Sequence, residues 1–125
     1  MIVGMGVDIA EVDRVREVIA RHGERFLQRV FTLLEIAYCQ RHKNQHERFA
    51  ARFAAKEAAM KALGTGWRNG VTWKDFEVIN EPSGKPTLLL TGRAAEICAA
   101  LGGQRIHLSM THTETTALAE VIIEE

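Results

Sequence analysis

The sequence contains little cysteine and no excess of either charge. Its two cysteines, Cys39 and Cys98, are too few for a disulfide framework, and no CxxC pair is present for zinc. The 16 basic residues equal the 16 acidic ones, so the net charge indicates neither nucleic acid nor an anionic membrane as a partner. We therefore expect a cytoplasmic protein with reduced thiols, in which charge-driven recognition depends on local patches.

Long apolar runs are also lacking. No stretch approaches the roughly 18 apolar residues that a membrane span requires, and Asp8 interrupts the first apolar run before a signal-peptide core is complete. Hydrophobic residues nevertheless make up 46% of the chain and charged residues 26%, which is enough apolar surface for one core. These values predict a single domain over residues 1–125, with no membrane partner.

Several segments carry the periodicity and composition of helices. A helical pattern begins near Ala10, and Gly23 is expected to break or bend it. Further helices are predicted at 33–42, at 47–63 and at 92–101, of which the second has the strongest helix-forming composition.

Strands are predicted on both sides of these helices. The short apolar run at 2–7 is typical of a buried strand, and the pattern at 71–79 predicts one or two more. Turn residues at 80–86 predict a hairpin with the strand that follows, and a second hairpin is expected around Thr111–Thr115. The sequence thus predicts an α+β fold, with a mostly antiparallel sheet packed on a long central helix.

The helix predicted at 47–63 carries informative charged residues. Lys56 projects near the middle of its apolar stripe, so this side chain must extend to solvent or find an anion. Glu57 and Lys61 stand four residues apart on the flank of the stripe and form either an ordinary surface ion pair or part of a polar site. The stripe consists of Phe49, Phe53, Met60 and Leu63.

Asp8 directly follows the first apolar run. Its carboxylate is either an N-cap for the helix that begins near Ala10 or a ligand presented at the end of a strand. Two carboxylates from separate elements, Asp8 and Glu57, would suit Mg²⁺, which prefers oxygen ligands and is often completed by substrate phosphates.

The second predicted hairpin contains hydroxyl and imidazole groups. Ser109 and His112 can bind a phosphate or orient a water there, although a lone histidine in a turn is more often simply solvated. A serine hydrolase is disfavoured, because no nucleophile-elbow glycine pattern surrounds Ser109.

Arginines recur in the first helical segment. Arg14, Arg21 and Arg25 are spaced by seven and four residues, so they share a face if the helix continues through Gly23. Such a face either binds carboxylates of a partner or is an ordinary solvated surface.

Five short segments occur in an order typical of one protein family. In combination they resemble holo-[acyl-carrier-protein] synthases, the small bacterial class of phosphopantetheinyl transferases, nearly from end to end. A lone KEAxxKA motif would be weak, whereas its combination with Asp8 upstream and SxTHT downstream is specific. The matching segments are Gly6-Val7-Asp8-Ile9, Arg52-Phe53-Ala54-Ala55-Lys56-Glu57, Gly64-Thr65-Gly66, Gly84-Lys85-Pro86 and Ser109-Met110-Thr111-His112-Thr113.

The resemblance implies a phosphopantetheinyl transferase-like fold and an Mg²⁺-dependent reaction. In that reaction, 4′-phosphopantetheine moves from coenzyme A to a serine of apo acyl carrier protein, adenosine 3′,5′-bisphosphate is released, and fatty acid biosynthesis is supported. By the same resemblance, Asp8 and Glu57 hold Mg²⁺, while Glu57 and Lys61 take part in catalysis. We expect coenzyme A to contact Arg52, Lys56, Lys61, Gly64, Pro86, Ser109 and His112.

The resemblance also implies two kinds of protein partner. Arg14, Arg21 and Arg25 are expected to meet the acidic second helix of the carrier protein. The chain is expected to form a homotrimer, with each active site between neighbouring subunits. One alternative is a non-catalytic binder that uses the same arginines on an acidic partner. A small nucleic-acid-binding domain is the other, and the zero net charge disfavours it.

Overall fold

The computed structural model describes all 125 residues and confirms the α+β architecture. None of its helices is long and apolar enough to cross a membrane. In chain order, the elements are β1 (Ile2–Glu11), α1 (Val12–His22), α2 (Glu24–Val30), α3 (Leu33–Gln40), α4 (Gln45–Leu63), a 3₁₀ turn (Trp73–Asp75), β2 (Phe76–Asn80), β3 (Pro86–Leu90), α5 (Gly92–Ala100), β4 (Arg105–His112) and β5 (Thr116–Glu124).

The strands form two antiparallel sheets. The larger has the order β1-β5-β4, and the smaller is the hairpin of β2 and β3. Both predicted hairpins are therefore confirmed. Helix α4 packs across β1 and β5, so its apolar stripe and one face of the larger sheet together form the core. Phe49, Met60 and Leu63 of the stripe are buried, as the helical periodicity predicts.

Glycines of β1 set how closely α4 approaches the sheet. A Cβ atom at Gly4 would lie 2.1 Å from the carbonyl oxygen of Ala62, and one at Gly6 would lie 2.1 Å from that of Ala58. The two backbones meet at a distance that only glycine permits. The small side chains along this flank of α4 thus make room for strand β1.

The first strand differs from its prediction in two ways. It continues through Asp8 to Glu11, so Asp8 lies within the strand and is not the N-cap of α1. It is also not buried on both faces, because Met5, Val7 and Ile9 are 60%, 51% and 61% exposed.

The sheet face that points away from α4 is referred to below as the open face. Apolar and polar side chains share it, and no other element of the chain covers the exposed residues of β1. By the alternation of side chains along the strands, the open face consists of Met5, Val7 and Ile9 on β1, Leu118, Glu120 and Ile122 on β5, and His107, Ser109 and Thr111 on β4.

Candidate active site

Strand β1 and helix α4 bring Asp8 and Lys61 into direct contact. Side chains alternate along a strand, so Asp8 projects to the same face as Gly4 and Gly6, toward the helix. The ammonium group of Lys61 lies 2.9 Å from Asp8 Oδ1 and also donates to the carbonyl oxygen of Val7 at 3.0 Å. Two residues that are far apart in the sequence therefore share one charged centre.

Glu57 lies one helical turn before Lys61 on α4 and belongs to the same centre. Burial raises the pKa of Glu57, the charge of Asp8 raises it further, and Lys61 and the indole of Trp67 oppose this. The influence of Asp8 on Glu57 means that the two carboxylates are electrostatic neighbours. We refer to Asp8, Glu57 and Lys61 as the carboxylate centre.

The donor set of the carboxylate centre fits Mg²⁺ bound together with a phosphate. Asp8 and Glu57 offer hard oxygen ligands from two rigid elements, and no group of three or more His, Cys, Asp or Glu side chains converges anywhere in the chain. Magnesium is commonly held by one or two carboxylates and completed by substrate phosphates and water. Without a phosphate ligand, these two carboxylates would therefore fill only part of the coordination sphere of the ion.

Gly64 ends helix α4 beside this centre. It adopts a left-handed conformation with a φ of 77°, and its N–H donates to the carbonyl oxygen of Lys61. Because Gly64 is exposed and has no side chain, its backbone is open to a ligand near Lys61.

A second group of predicted residues lines a small cleft elsewhere on α4. Arg52 lies over the ring of Tyr38 at 4.2 Å and donates to Asn80 Oδ1 at 2.7 Å, while its Nε atom is buried without a hydrogen-bond partner. We refer to this cleft as the arginine cleft. It is lined by Tyr38, Arg48, Ala51, Arg52, Asn80, Gly84, Pro86, Met110 and His112.

Several residues of the arginine cleft were not predicted from the sequence. Arg48 precedes Arg52 by four residues, so helical spacing alone could have identified it. Glu47 does not line the cleft but pairs with His112, which does, with 2.9 Å between Oε1 and Nδ1. The sequence carries no local signal for that contact, because 65 positions separate the two residues.

The carboxylate centre and the arginine cleft do not meet within one chain. Asp8 lies on edge strand β1 and His112 on the opposite edge strand β4, with β5 between them. Two strand spacings correspond to roughly 10 Å between backbones. Helix α4 packs above the same strands, so each group lies on its own flank of the helix.

Ser109 belongs to neither group within the chain. It pairs with Glu120 in the sheet and projects onto the open face, whereas Asp8 and His112 project to the face that α4 covers. Its hydroxyl is exposed there, on the opposite side of the sheet from both groups.

One prediction concerns Lys56. Its side chain is fully buried, with its ammonium group 2.8 Å from Glu35 Oε1 and bonded to the carbonyl oxygens of Trp73 and Phe76. The anion that Lys56 requires is thus an internal carboxylate. The contact between Lys56 and coenzyme A stays a prediction, and this packing disfavours it, because the side chain is 0% exposed and its ammonium group is already bonded within the chain.

The predicted arginine face is interrupted. Gly23 has a φ of 53° and separates α1 from α2, so Arg14 and Arg21 lie on one helix and Arg25 on the next. All three side chains are exposed. Arg25 lines a shallow surface cavity with Arg29, so the cationic surface bends at Gly23 and does not form one straight row.

The whole chain is similar to proteins of one superfamily. A model of the 4′-phosphopantetheinyl transferase superfamily matches residues 4–119. The chain is 59% identical over 125 residues to the holo-[acyl-carrier-protein] synthase of Koribacter versatilis, with 100% of both sequences covered.

The fold of the chain is also similar to that of solved structures. The holo-[acyl-carrier-protein] synthase from Neisseria meningitidis superposes with a TM-score of 0.90 at 33% identity, with 100% of each chain covered. The Bacillus anthracis holo-(acyl-carrier-protein) synthase, solved in complex with CoA (3′,5′-ADP), gives a TM-score of 0.82 at 35% identity, covering 98% of this chain and 96% of that one.

Proposed function

The chain belongs to the 4′-phosphopantetheinyl transferase superfamily, among the holo-[acyl-carrier-protein] synthases, and we propose that its carboxylate centre is where the reaction occurs. The reaction transfers 4′-phosphopantetheine from coenzyme A to a serine of apo acyl carrier protein and supports fatty acid biosynthesis. The contact between Lys61 and Asp8, beside Glu57, is the observation that carries the assignment to this centre.

We propose that Asp8 and Glu57 hold Mg²⁺ together with the coenzyme A pyrophosphate. Bound there, the ion would neutralise phosphate charge and act as a Lewis acid. The support is the donor set: two carboxylates on rigid elements, with the ammonium group of Lys61 already occupying a cation position at Asp8. The requirement for a phosphate co-ligand agrees with a substrate that carries a pyrophosphate.

The protein's own groups supply positioning and proton transfer in this mechanism. The serine hydroxyl of the carrier protein attacks the β-phosphorus, and adenosine 3′,5′-bisphosphate leaves as the bond to its bridging oxygen breaks. Lys61 stabilises charge on the leaving phosphate, as cationic groups do in phosphoryl transfer. Glu57 is the carboxylate beside Lys61 that we propose accepts the serine proton.

The arginine cleft is proposed to bind the nucleotide part of coenzyme A. The guanidinium of Arg52 lines this cleft, and a phosphate oxygen is the kind of acceptor that a guanidinium binds. Pro86 and His112 line the same cleft, and Gly64 is proposed to contact coenzyme A near Lys61.

A homotrimer would unite the two separated groups of residues. We propose that the open face packs against neighbouring subunits, so that the carboxylate centre of one subunit faces the arginine cleft of the next and Ser109 reaches the ligand there. The exposed apolar residues of β1 support this proposal.

Mixed subunits test the shared active site. Asp8→Asn and His112→Ala should each lose most of their activity alone. Mixed trimers of the two variants should recover activity, because some interfaces then combine an intact Asp8 with an intact His112. Absence of recovery in verified mixed trimers would place both groups of each active site in one chain.

Two further parts of the proposal concern partner and compartment. Arg14, Arg21 and Arg25 are proposed to bind the acidic helix of the carrier protein. Charge reversal by Arg14→Glu should raise the KM for the carrier about tenfold and leave that for coenzyme A unchanged. A cytoplasmic location is proposed because Cys39 and Cys98 are buried free thiols, which suit a reducing compartment.

Intact-mass analysis tests the proposed function directly. Apo acyl carrier protein incubated with the chain, coenzyme A and Mg²⁺ should gain the mass of one phosphopantetheinyl group. The same reaction with Glu57→Gln is the matched control and should show no gain. If the native chain binds the carrier protein but produces no mass gain, a non-catalytic binder of an acidic partner is the better description.

A further inference from the structure

A cation already occupies Asp8 in the structure. The Lys61 ammonium lies 2.9 Å from Asp8 Oδ1, and this oxygen belongs to one of the two carboxylates proposed to hold the metal. The same ammonium group donates to the carbonyl oxygen of Val7 at 3.0 Å, which fixes its position between strand and helix. A divalent cation that arrives at Asp8 must therefore compete with Lys61.

The Lys61 charge has a function while the metal is absent. Asp8 and Glu57 are neighbouring carboxylates, so they repel each other when both are ionised. An ammonium group between the strand and the helix offsets that repulsion and keeps Asp8 oriented toward α4. Without it, the metal-free centre would hold two negative charges with no compensating cation in contact.

The Asp8–Lys61 contact can also be exchanged at low cost. The Lys61 side chain is 55% exposed, so its ammonium group stays solvated when it leaves Asp8. Its flexible four-carbon stem allows the head group to move by several ångströms. The buried lysine of the same helix, Lys56, is fully enclosed and lacks this freedom.

We propose that Lys61 is an exchangeable placeholder for the divalent cation, and that it leaves Asp8 for the phosphates when the metal and coenzyme A bind together. This inference rests on the proposed function. The metal alone has to displace Lys61 and gains no phosphate ligand, so it binds weakly. Coenzyme A supplies new ligands for the metal and new acceptors for Lys61, so metal and nucleotide favour each other's binding.

Binding of Mn²⁺ as a paramagnetic substitute for Mg²⁺ tests the placeholder. Free Mn²⁺ is measured by electron paramagnetic resonance during titration of the whole protein without coenzyme A. Lys61→Met should bind Mn²⁺ about five- to tenfold more tightly than the native chain, because the competing charge is gone. Lys43→Met removes the same charge from an exposed position outside the centre and should bind like the native chain.

Addition of saturating coenzyme A sharpens the test. In the native chain Lys61 should then have moved to the phosphates, so the advantage of Lys61→Met in Mn²⁺ affinity should disappear or reverse. Equal or weaker Mn²⁺ binding by Lys61→Met without coenzyme A would overturn the placeholder. If Lys61→Met still bound Mn²⁺ more tightly than the native chain by the same factor in the presence of coenzyme A, the proposed movement of Lys61 to the phosphates would be overturned.

Asp8→Asn separates failure of this inference from failure of the metal assignment. If Asp8→Asn binds Mn²⁺ as well as the native chain, the proposed metal site itself is wrong. If Asp8→Asn loses Mn²⁺ and Lys61→Met does not gain affinity, the metal site stands and only the placeholder is refuted. Circular dichroism of each variant confirms that the fold is retained, which is expected for these positions.

Discussion

Two lysines of helix α4 form ion pairs of almost equal length in opposite surroundings. Lys56 lies 2.8 Å from Glu35, and both side chains are 0% exposed. Lys61 lies 2.9 Å from Asp8, with exposures of 55% and 18%. Water compensates a broken pair at the surface, but nothing compensates a charge left alone in the core. Burial, and not distance, thus indicates which pair is structural and which can exchange.

The buried pair joins three elements around the central helix. Glu35 of α3 accepts from the backbone N–H of Val78 in β2 at 2.8 Å, while Lys56 of α4 donates to the carbonyl oxygen of Trp73. Burial lowers the pKa of Lys56, and the charge of Glu35 opposes that shift. Each charge is therefore tolerated only because the other one and several backbone groups satisfy it.

The largest expected effect comes from breaking the buried pair. Lys56→Met leaves the Glu35 carboxylate buried without its cation, and we expect the free energy of unfolding to fall by about 3–5 kcal/mol. Urea denaturation monitored by circular dichroism measures this loss.

A second substitution distinguishes an unpaired charge from poor packing. Adding Glu35→Gln to Lys56→Met removes the remaining charge and should restore part of the stability. Arg16→Gln, which breaks an exposed pair with Asp13, is the control and should change stability by less than about 1 kcal/mol. If Lys56→Met lowered the free energy of unfolding by less than about 1 kcal/mol, as the control does, the buried pair would contribute no more to stability than an exposed pair.

The second effect comes from breaking the exposed pair. Asp8→Asn keeps the size of the side chain, and Lys61 remains solvated, so stability should change by less than about 1 kcal/mol. Turnover should nevertheless fall about 100-fold, because the substitution removes one of the two carboxylates proposed to hold Mg²⁺ and so weakens the stabilisation of phosphate charge. Steady-state kinetics at saturating coenzyme A and carrier protein provide the measurement. Near-normal, Mg²⁺-dependent turnover would refute the metal assignment.

The sequence predicts most of the fold, because local patterns determine it. Helical composition identifies α4, and turn residues between apolar segments identify both hairpins, to within a few residues at their ends. The extent of β1 was not predictable. Its alternate residues face α4 or the open face, and the sequence does not indicate that the second face is uncovered.

The candidate site was predictable only in part, since it depends on contacts between distant segments. The motifs identify Asp8, Glu57 and Lys61, and the fold brings them together. Helical spacing separates Lys56, on the apolar stripe, from Lys61 on its flank, but it does not reveal that the anion beside Lys56 is Glu35, 21 positions away in a different helix. Helical position places a lysine on an apolar face, whereas only the tertiary structure shows which anion meets it.

The smallest expected effect is a change in the pKa of Glu57 when either charge of the exposed pair is removed. Burial and then the charge of Asp8 raise the pKa of Glu57, while Lys61 opposes them. The pKa of Glu57 should therefore be lower in Asp8→Asn than in the native chain, and higher in Lys61→Met, as measured by carbon NMR of its carboxyl group without metal.

Because the folded chain binds this proton more tightly than the unfolded chain, the stabilisation from protonated Glu57 is present at low pH and is lost as the pH rises through the raised pKa. In Asp8→Asn this stabilisation should be lost at a lower pH than in the native chain, because the pKa of Glu57 is raised less. Identical titrations in all three proteins would mean that Asp8 and Lys61 exert no field at Glu57, and the exposed pair would then have no electrostatic connection to the proposed base.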